Sequence, residues 1–284
     1  MTPELSLTVL TDDTKSSDNL FAGEFGLSFY IETEEKKILF DTGFSDVFFA
    51  NAGLLGIDLG DLDYVILSHG HNDHTGGLVT LARYLDDKRN DRVIGKVPEL
   101  IAHLYCFYPK PKGQDPNTGS ILSEDEVKQT FSTILSDKPV WITDDLVFLG
   151  EIPRRFPFER TDPGERGIIF PGGCEKPDLL LDDSALAFRS GTGLIIITGC
   201  SHAGICNITE YAREVCGERR VTDIVGGLHL LSPEPNRLAR TGKYVNRLHL
   251  KALHACHCTS PEAKAALAGY TPVQEVGVGM RLKW

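Results

Sequence analysis

The sequence predicts an α/β fold (α+β in some schemes), with two β-sheets packed face to face and helices outside. Three observations carry this. Two blocks, about residues 4–82 and 178–284, share a hairpin-then-βα pattern. The stretch between them, about 84–177, is dense in proline and glycine and poor in periodicity. Segments such as LDYVILSHG and GLIIITG are apolar runs of β-branched and aliphatic residues, the signature of buried strands.

In order, LSLTVLT reads as a strand, and GLSFYIE with KKILF as a hairpin around a polar turn. SDVFFANAGLLG has helical spacing, LDYVILSHG is a strand, and GGLVTLARYLDD is an amphipathic helix. In the middle, SEDEVKQTFSTIL is predicted helical, with Ser123 as N-cap and Glu126 completing a capping box. WITDDLVFLG reads as two short strands. The rest of the middle reads as surface loops with the character of a lid over one domain spanning 1–284. The last block gives a second hairpin (DDSALAFRS, GLIIITG) and a helix from CSHAGICNITEYAREVCG. VTDIVGG and KALHACH are strands, PEPNRLARTGKYVNRLHL and PEAKAALAG are helices, and PVQEVGVGMRLKW is expected to end in strands.

The 284 residues carry a net charge of -11, which disfavours a general nucleic-acid or membrane-surface binder. No apolar run approaches a membrane span and no signal peptide is evident. Seven cysteines, an odd number, fit a reducing cytoplasm better than a disulfide scaffold. The expected partner is an anionic small molecule, and a homo-oligomer is left open.

The chemistry concentrates in LSHGHNDHTGG, residues 67–77. A strand that runs into His69, His71, Asp73 and His74 puts four metal-capable side chains on one tight loop. Gly70, Gly76 and Gly77 are read as permitting its bends. So short a turn cannot give all four to one ion. Two ions can share them, with His69 and His71 toward one, Asp73 and His74 toward the other. Paired ions about 3.5–4 Å apart clamp an anionic group and activate water. His202, just after LIIITG, is the expected third ligand of the first ion. His257, at the end of KALHAC, is the expected third ligand of the second. His229 in GGLHLL lies beyond a strand on the same edge and is assigned to substrate or proton transfer. Glu24 is a weaker pocket-lining residue. Arg154, Arg155, Arg160 and Arg166 form the densest basic group, suited to phosphate, with Arg154 and Arg155 named as substrate-binding. His249 and His254 are read as structural.

HGHNDH resembles the HxHxDH motif of the metallo-β-lactamase superfamily, and LFDTG at 39–43 resembles its upstream aspartate motif. NAGLLGIDLGDLDYVILSHGHNDHTGGL, ITGCSHAGICNI, GGLHL and ACHCT are similar to the branch named for 7,8-dihydropterin-6-methyl-4-(β-D-ribofuranosyl)aminobenzene-5'-phosphate synthase. The resemblance implies an αββα sandwich of two mixed sheets. It implies that Asp41 supports the metal loop without ligating, and that His103 faces the pocket. Where the superfamily layout has a bridging aspartate in a GD pair, this chain has Gly199-Cys200. The bridge is absent, is Cys200, or is a water; otherwise Cys200 packs beside the site, as small buried thiols do. Asp182 and Asp183 stand where many members carry a histidine, and Ser260 replaces the glycine of HCTG.

The resulting expectation is a metal-dependent hydrolase. It would hold two divalent ions, zinc with manganese or iron as alternatives, and use metal-bound hydroxide on a phosphorylated or anionic small molecule, with Asp73 and His229 catalytic. The alternatives are pterinylmethyl transfer with pyrophosphate leaving, and a non-catalytic ligand-binding or iron redox protein on the same fold.

Overall fold

A computed structural model describes residues 4–14, 20–91, 96–115, 117–160 and 162–284. The first sheet holds β1 (Leu5–Thr11), β2 (Ser28–Thr33), β3 (Lys37–Phe40), β4 (Tyr64–Ile66), β5 (Glu99–Ala102), β6 (Ser132–Leu135) and the late strand β15 (Arg281–Lys283). Its order is β15-β1-β2-β3-β4-β5-β6. The second sheet is ordered β14-β13-β12-β11-β8-β7. These strands are β7 (Val140–Trp141), β8 (Leu146–Phe148), β11 (Ala185–Ser190), β12 (Gly193–Thr198), β13 (Val221–Gly227) and β14 (Ala252–Cys256). Both sheets are mixed. β3 to β6 run parallel, as do β12 to β14, while the remaining neighbours are antiparallel.

Side-chain alternation along the strands builds the layers. In β12, Ile195 and Ile197 point into the apolar core shared by both sheets, together with Leu7, Phe29 and Phe40. Leu194 and Ile196 point the other way. There they meet α5 (Ile205–Cys216), α6 (Pro235–Leu248) and α7 (Pro261–Ala268), through Ile208, Val245 and Leu267. On the far side of the first sheet, Val65 and Leu100 pack with α1 (Val47–Leu54), α3 (Leu78–Asn90) and α4 (Glu124–Thr130), through Phe48, Leu81 and Val127. The result is the αββα sandwich. Ile195 and Ile197 are fully buried, and each such side chain contributes about 1.5–3 kcal/mol.

Three expectations need correction. The helix begun at Ser123 has its capping box but ends at Thr130; Phe131 is extended, and FSTIL continues as β6 beside β5. Its β-branched residues pack on a sheet better than on a helix. The middle segment is less loop-rich than it reads, because β5 and β6 extend the first sheet, while β7 and β8 are the two short strands expected around WITDDLVFLG. A separate hairpin, β9 (Gly167–Phe170) with β10 (Cys174–Pro177), lies outside both. The C-terminal segment carries one strand, β15, instead of several. Among the described residues no helix is long and apolar enough to cross a membrane.

Candidate metal centre

The two sheets present the C-terminal ends of their parallel strands along one edge, where open α/β sheets place their ligands. Asp12 and Asp13 follow β1, Asp41 follows β3, His69 follows β4 and His103 follows β5. From the second sheet, Cys200 and His202 follow β12, His229 follows β13 and His257 follows β14. Asp41, Ser201, His229 and His257 all have positive φ, between 47° and 58°. Non-glycine residues take that conformation only when the surroundings hold them in it, and such residues cluster at functional sites.

The four side chains of the His69–His74 loop fall into two candidate ligand groups. His69, His71 and His202 bring their ring nitrogens within 4.8 Å of one another. Asp73, His74, His257 and Cys200 form a second group on the same criterion. Within the first, His69 Nε2 lies 3.1 Å from His71 Nδ1. In the second, His74 Nε2 is 3.3 Å from His257 Nε2 and 3.2 Å from Cys200 Sγ. Asp73 Oδ2 is 3.4 Å from His257 Nε2 and 3.7 Å from His74 Nε2. A tetrahedral ion with bonds of about 2.0–2.1 Å holds its donors roughly 3.3–3.4 Å apart, so both groups have the spacing of a ligand set. Cys200 also falls in a group with His202 and His229, which places its sulfur between the two sets.

Donor chemistry differs between the two groups. Burial pushes His69 and His202 well below the usual histidine value, and His71 down to about 4, which keeps these rings neutral and able to ligate. Burial acts the same way on His74, but Asp73 and Asp41 overcome it and raise that ring. His257 is likewise raised against burial, by Cys258, Asp13 and Asp73. Asp73, although burial opposes ionisation, is held below the carboxylate range by His74 and His257.

Each histidine of the second group is oriented by a carboxylate on its other nitrogen. Asp41 Oδ2 is 2.7 Å from His74 Nδ1, and its two oxygens also accept from Ser68 N–H and O–H. Asp13 Oδ1 is 2.9 Å from His257 Nδ1, while Asp12 accepts from the His257 N–H. Ser68 Oγ lies 2.9 Å from His69 Nδ1. Such partners fix ring orientation and tune the ligands. Sequence reasoning found Asp41 but missed Ser68, Asp12 and Asp13. The visible signal for the aspartates was an acidic pair ending a strand on the ligand edge.

The loop glycines act by close approach. Gly76 and Gly77 have ordinary helical φ of -62° and -68°. A Cβ at Gly70 would stand 1.9 Å from the Cys106 carbonyl oxygen, and one at Gly199 would stand 2.0 Å from Ser68 Oγ. The metal loop thus seats directly on neighbouring backbone, and the two sheets meet at Gly199.

A buried cation, also unforeseen, braces the loop. Lys110 Nζ donates to Asp178 at 3.1 Å and Asp182 at 3.0 Å, and the second oxygen of Asp182 accepts from Gly70 N–H. Burial would push Asp182 up, but the Lys110 charge holds it below the usual carboxylate range. Asp183 accepts from Ala203 N–H, and burial raises it to about 6.

The substrate-binding assignments fare unevenly. Arg154 donates to the backbone carbonyls of His202 and Leu180, so it braces the His202 turn. Arg155 sends its guanidinium to Glu214 on α5, away from the ligand groups. The Glu24 carboxylate accepts from Phe44 and Ser45 and ties down the turn after β3. His103 is buried, with Nδ1 accepting from Tyr105 N–H and Nε2 3.7 Å from Glu151. His229 does reach the cluster, its ring 4.2 Å from that of His202, and among the described residues its Nδ1 has no hydrogen-bond partner. His254 pairs with Asp223 inside the second sheet, and His249 caps α6 in the left-handed conformation.

A sandwich with ligand sets at this edge is a metallo-β-lactamase arrangement, and the comparisons agree. The model of the metallo-beta-lactamase superfamily matches residues 22–213. The chain belongs to that superfamily. It is 30% identical to the 7,8-dihydropterin-6-methyl-4-(beta-D-ribofuranosyl)-aminobenzene-5'-phosphate synthase of Methanocaldococcus jannaschii, over 92% of this chain and 89% of that protein. It superposes on Tm1679, described as a metal-dependent hydrolase of the beta-lactamase superfamily, with a TM-score of 0.82 and 30% identity over 98% of both chains. A diphosphatase of the PhnP family shares the fold at 17% identity and a TM-score of 0.53, over 100% of this chain and 98% of that one.

Proposed function

We propose that this protein is a metal-dependent hydrolase that holds two divalent ions and acts on a phosphorylated or otherwise anionic small molecule. The observation that carries the reading is the division of donors into His69, His71, His202 and Asp73, His74, His257, with Cys200 between them. The likeness to Tm1679, whose description is a metal-dependent hydrolase, supports it.

His69, His71 and His202 would hold one ion and Asp73, His74 and His257 the other, with zinc the expected metal and manganese or iron the alternatives. When bound, such ions supply Lewis acidity to an anionic oxygen and acidify water toward neutral pH. The chain supplies the rest. Asp41, Asp13 and Ser68 orient the rings, and the apolar core beneath the edge keeps the loops rigid. Asp73 is the carboxylate of the cluster, able to accept a hydrogen bond from the attacking water. His229, with Nδ1 unengaged beside His202, is placed to hydrogen-bond the substrate or pass a proton to its leaving oxygen.

The first test is metal content per chain by elemental analysis, on protein purified without chelators or a histidine tag. A screen of phosphate esters follows. Two ions per chain, with ester hydrolysis lost on chelation and regained on adding metal, is the expected result. No bound metal after incubation with zinc, manganese or iron would overturn the reading. A second reading, group transfer with pyrophosphate leaving, is favoured by the likeness to the synthase along most of both chains. Release of pyrophosphate only when a second substrate is present would select it.

A further inference from the structure

We infer that the cleft beyond His229 is a recognition site for a phosphate or phosphonate group that does not itself react, held by Arg160, Arg166 and Arg237. The inference deepens the function proposed above and rests on it for what happens at the ligand cluster. The cleft encloses ≈ 520 Å³, with His229, Phe158 and Leu231 among its walls. Through His229, whose ring is 4.2 Å from His202, it adjoins the donor cluster without overlying it.

The arginines are what make it a site. Elsewhere among the described residues, Arg89, Arg155, Arg189, Arg213 and Arg220 each pair with a carboxylate and six other arginines do not, so it is the grouping of three unpaired guanidiniums on one cleft that counts. Around this cleft, among the described residues, no carboxylate oxygen comes within 4.0 Å of the Arg160, Arg166 or Arg237 guanidinium. Among the described residues, the Nε atoms of Arg166 and Arg237 are buried and have no hydrogen-bond partner. Arg166 spends one N–H on the Asp162 carbonyl. The nearby carboxylates are otherwise engaged. Both Glu159 oxygens accept backbone N–H groups at the start of α5, and Asp162 Oδ1 accepts from Gly164.

A buried donor without an acceptor is costly, and a phosphate dianion is the ligand that satisfies several guanidinium N–H groups at once. Asp162 and Glu234 border the same cleft and buried Glu159 feels the Arg237 charge, so the three positive charges are largely balanced already. That balance suits a single anionic group and not a polyanion. Binding energy from such a remote group positions the reacting bond over the metal-ligating residues.

The probe is phenylphosphonate, a dianion that cannot be hydrolysed, titrated into the purified protein with its native metal content by calorimetry. Arg166→Met, Arg237→Met and the double variant are compared with Arg89→Met and with Arg83→Met/Arg89→Met, which remove one and two charges from α3. Metal content and melting temperature are measured for each. The expected result is at least a tenfold loss of affinity in the Arg166→Met/Arg237→Met variant, equivalent to about 1.4 kcal/mol, with metal content unchanged and both α3 variants binding like the parent. Equal affinity in parent and Arg166→Met/Arg237→Met would overturn the inference, as would no binding by the parent at millimolar probe. In His71→Ala, retained arginine-dependent binding alongside lost metal keeps this site and separates it from the metal reading. Binding that vanishes with the metal but ignores the arginines assigns the probe to the ions and overturns the site.

Discussion

Replacing Lys110 by methionine will destabilise the fold by about 3–5 kcal/mol, the cost of breaking a buried ion pair from one side. The lysine is 1% exposed, and its partners Asp178 and Asp182 are 2% and 0% exposed. Methionine fills much of the stem volume but leaves two buried carboxylates 3.0–3.1 Å from where the ammonium stood. For a chain of this size each kcal/mol shifts Tm by about 2–4 °C, so the loss should read as roughly 6–20 °C in a calorimetric or circular-dichroism melt. The pH dependence has a definite sign. Without the cation both carboxylates titrate above their unfolded value of about 4 in the folded state, so stability is lost as pH rises through the folded value. The deficit relative to the parent is therefore smallest in acid and largest at neutral pH and above. Lys110→Met combined with Asp178→Asn and Asp182→Asn should recover part of the loss, because neutral amides need no counter-charge. A melting temperature within a degree or two of the parent, at neutral pH, would refute the reasoning.

Asp13→Asn should weaken metal binding about 10–100-fold through His257 while leaving the fold intact, measured by competition with a chromophoric chelator; unchanged affinity would remove Asp13 from the centre. Gly70→Ala forces a Cβ to within 1.9 Å of the Cys106 carbonyl, so the metal loop must shift. Its expected cost is about 1–3 kcal/mol or more in urea denaturation, together with reduced metal content. Ser123→Ala removes the capping box of α4 and should cost about 1 kcal/mol in the same assay, with metal content unaffected.

What could be read from the sequence was local. The ligand loop is contiguous, so residue type and spacing exposed His69, His71, Asp73 and His74 together, and strand ends pointed to His202, His229 and His257. The capping box of α4 was legible for the same reason. The supporting groups were not, because each acts across the chain. Asp13 and His257 are 244 positions apart, and Lys110 meets Asp182 from 72 away. Arg154 and Arg155 looked equivalent as neighbours, yet one turns to the His202 carbonyl and the other to Glu214. β6 was read as helix because its four residues directly follow a well-capped one, and only the neighbouring β5 makes the extended state the better choice.

The distance between donors also sets an order of events during synthesis. His74 and His257 are separated by 183 positions, and Cys200 stands 126 beyond His74. At about 5–20 residues per second, the ribosome exposes the HGHNDH loop roughly 10–40 s before His257 is made. Until His202 emerges, the nascent chain carries the three histidines and the aspartate of the loop but neither complete ligand set. Metal captured then would be held by a partial set and exchangeable. The set of Asp73, His74 and His257 is completed only when β14 pairs beside β13 and carries His257 to the edge. Loading of that second set would therefore be the late step, coupled to docking of the last parallel strand.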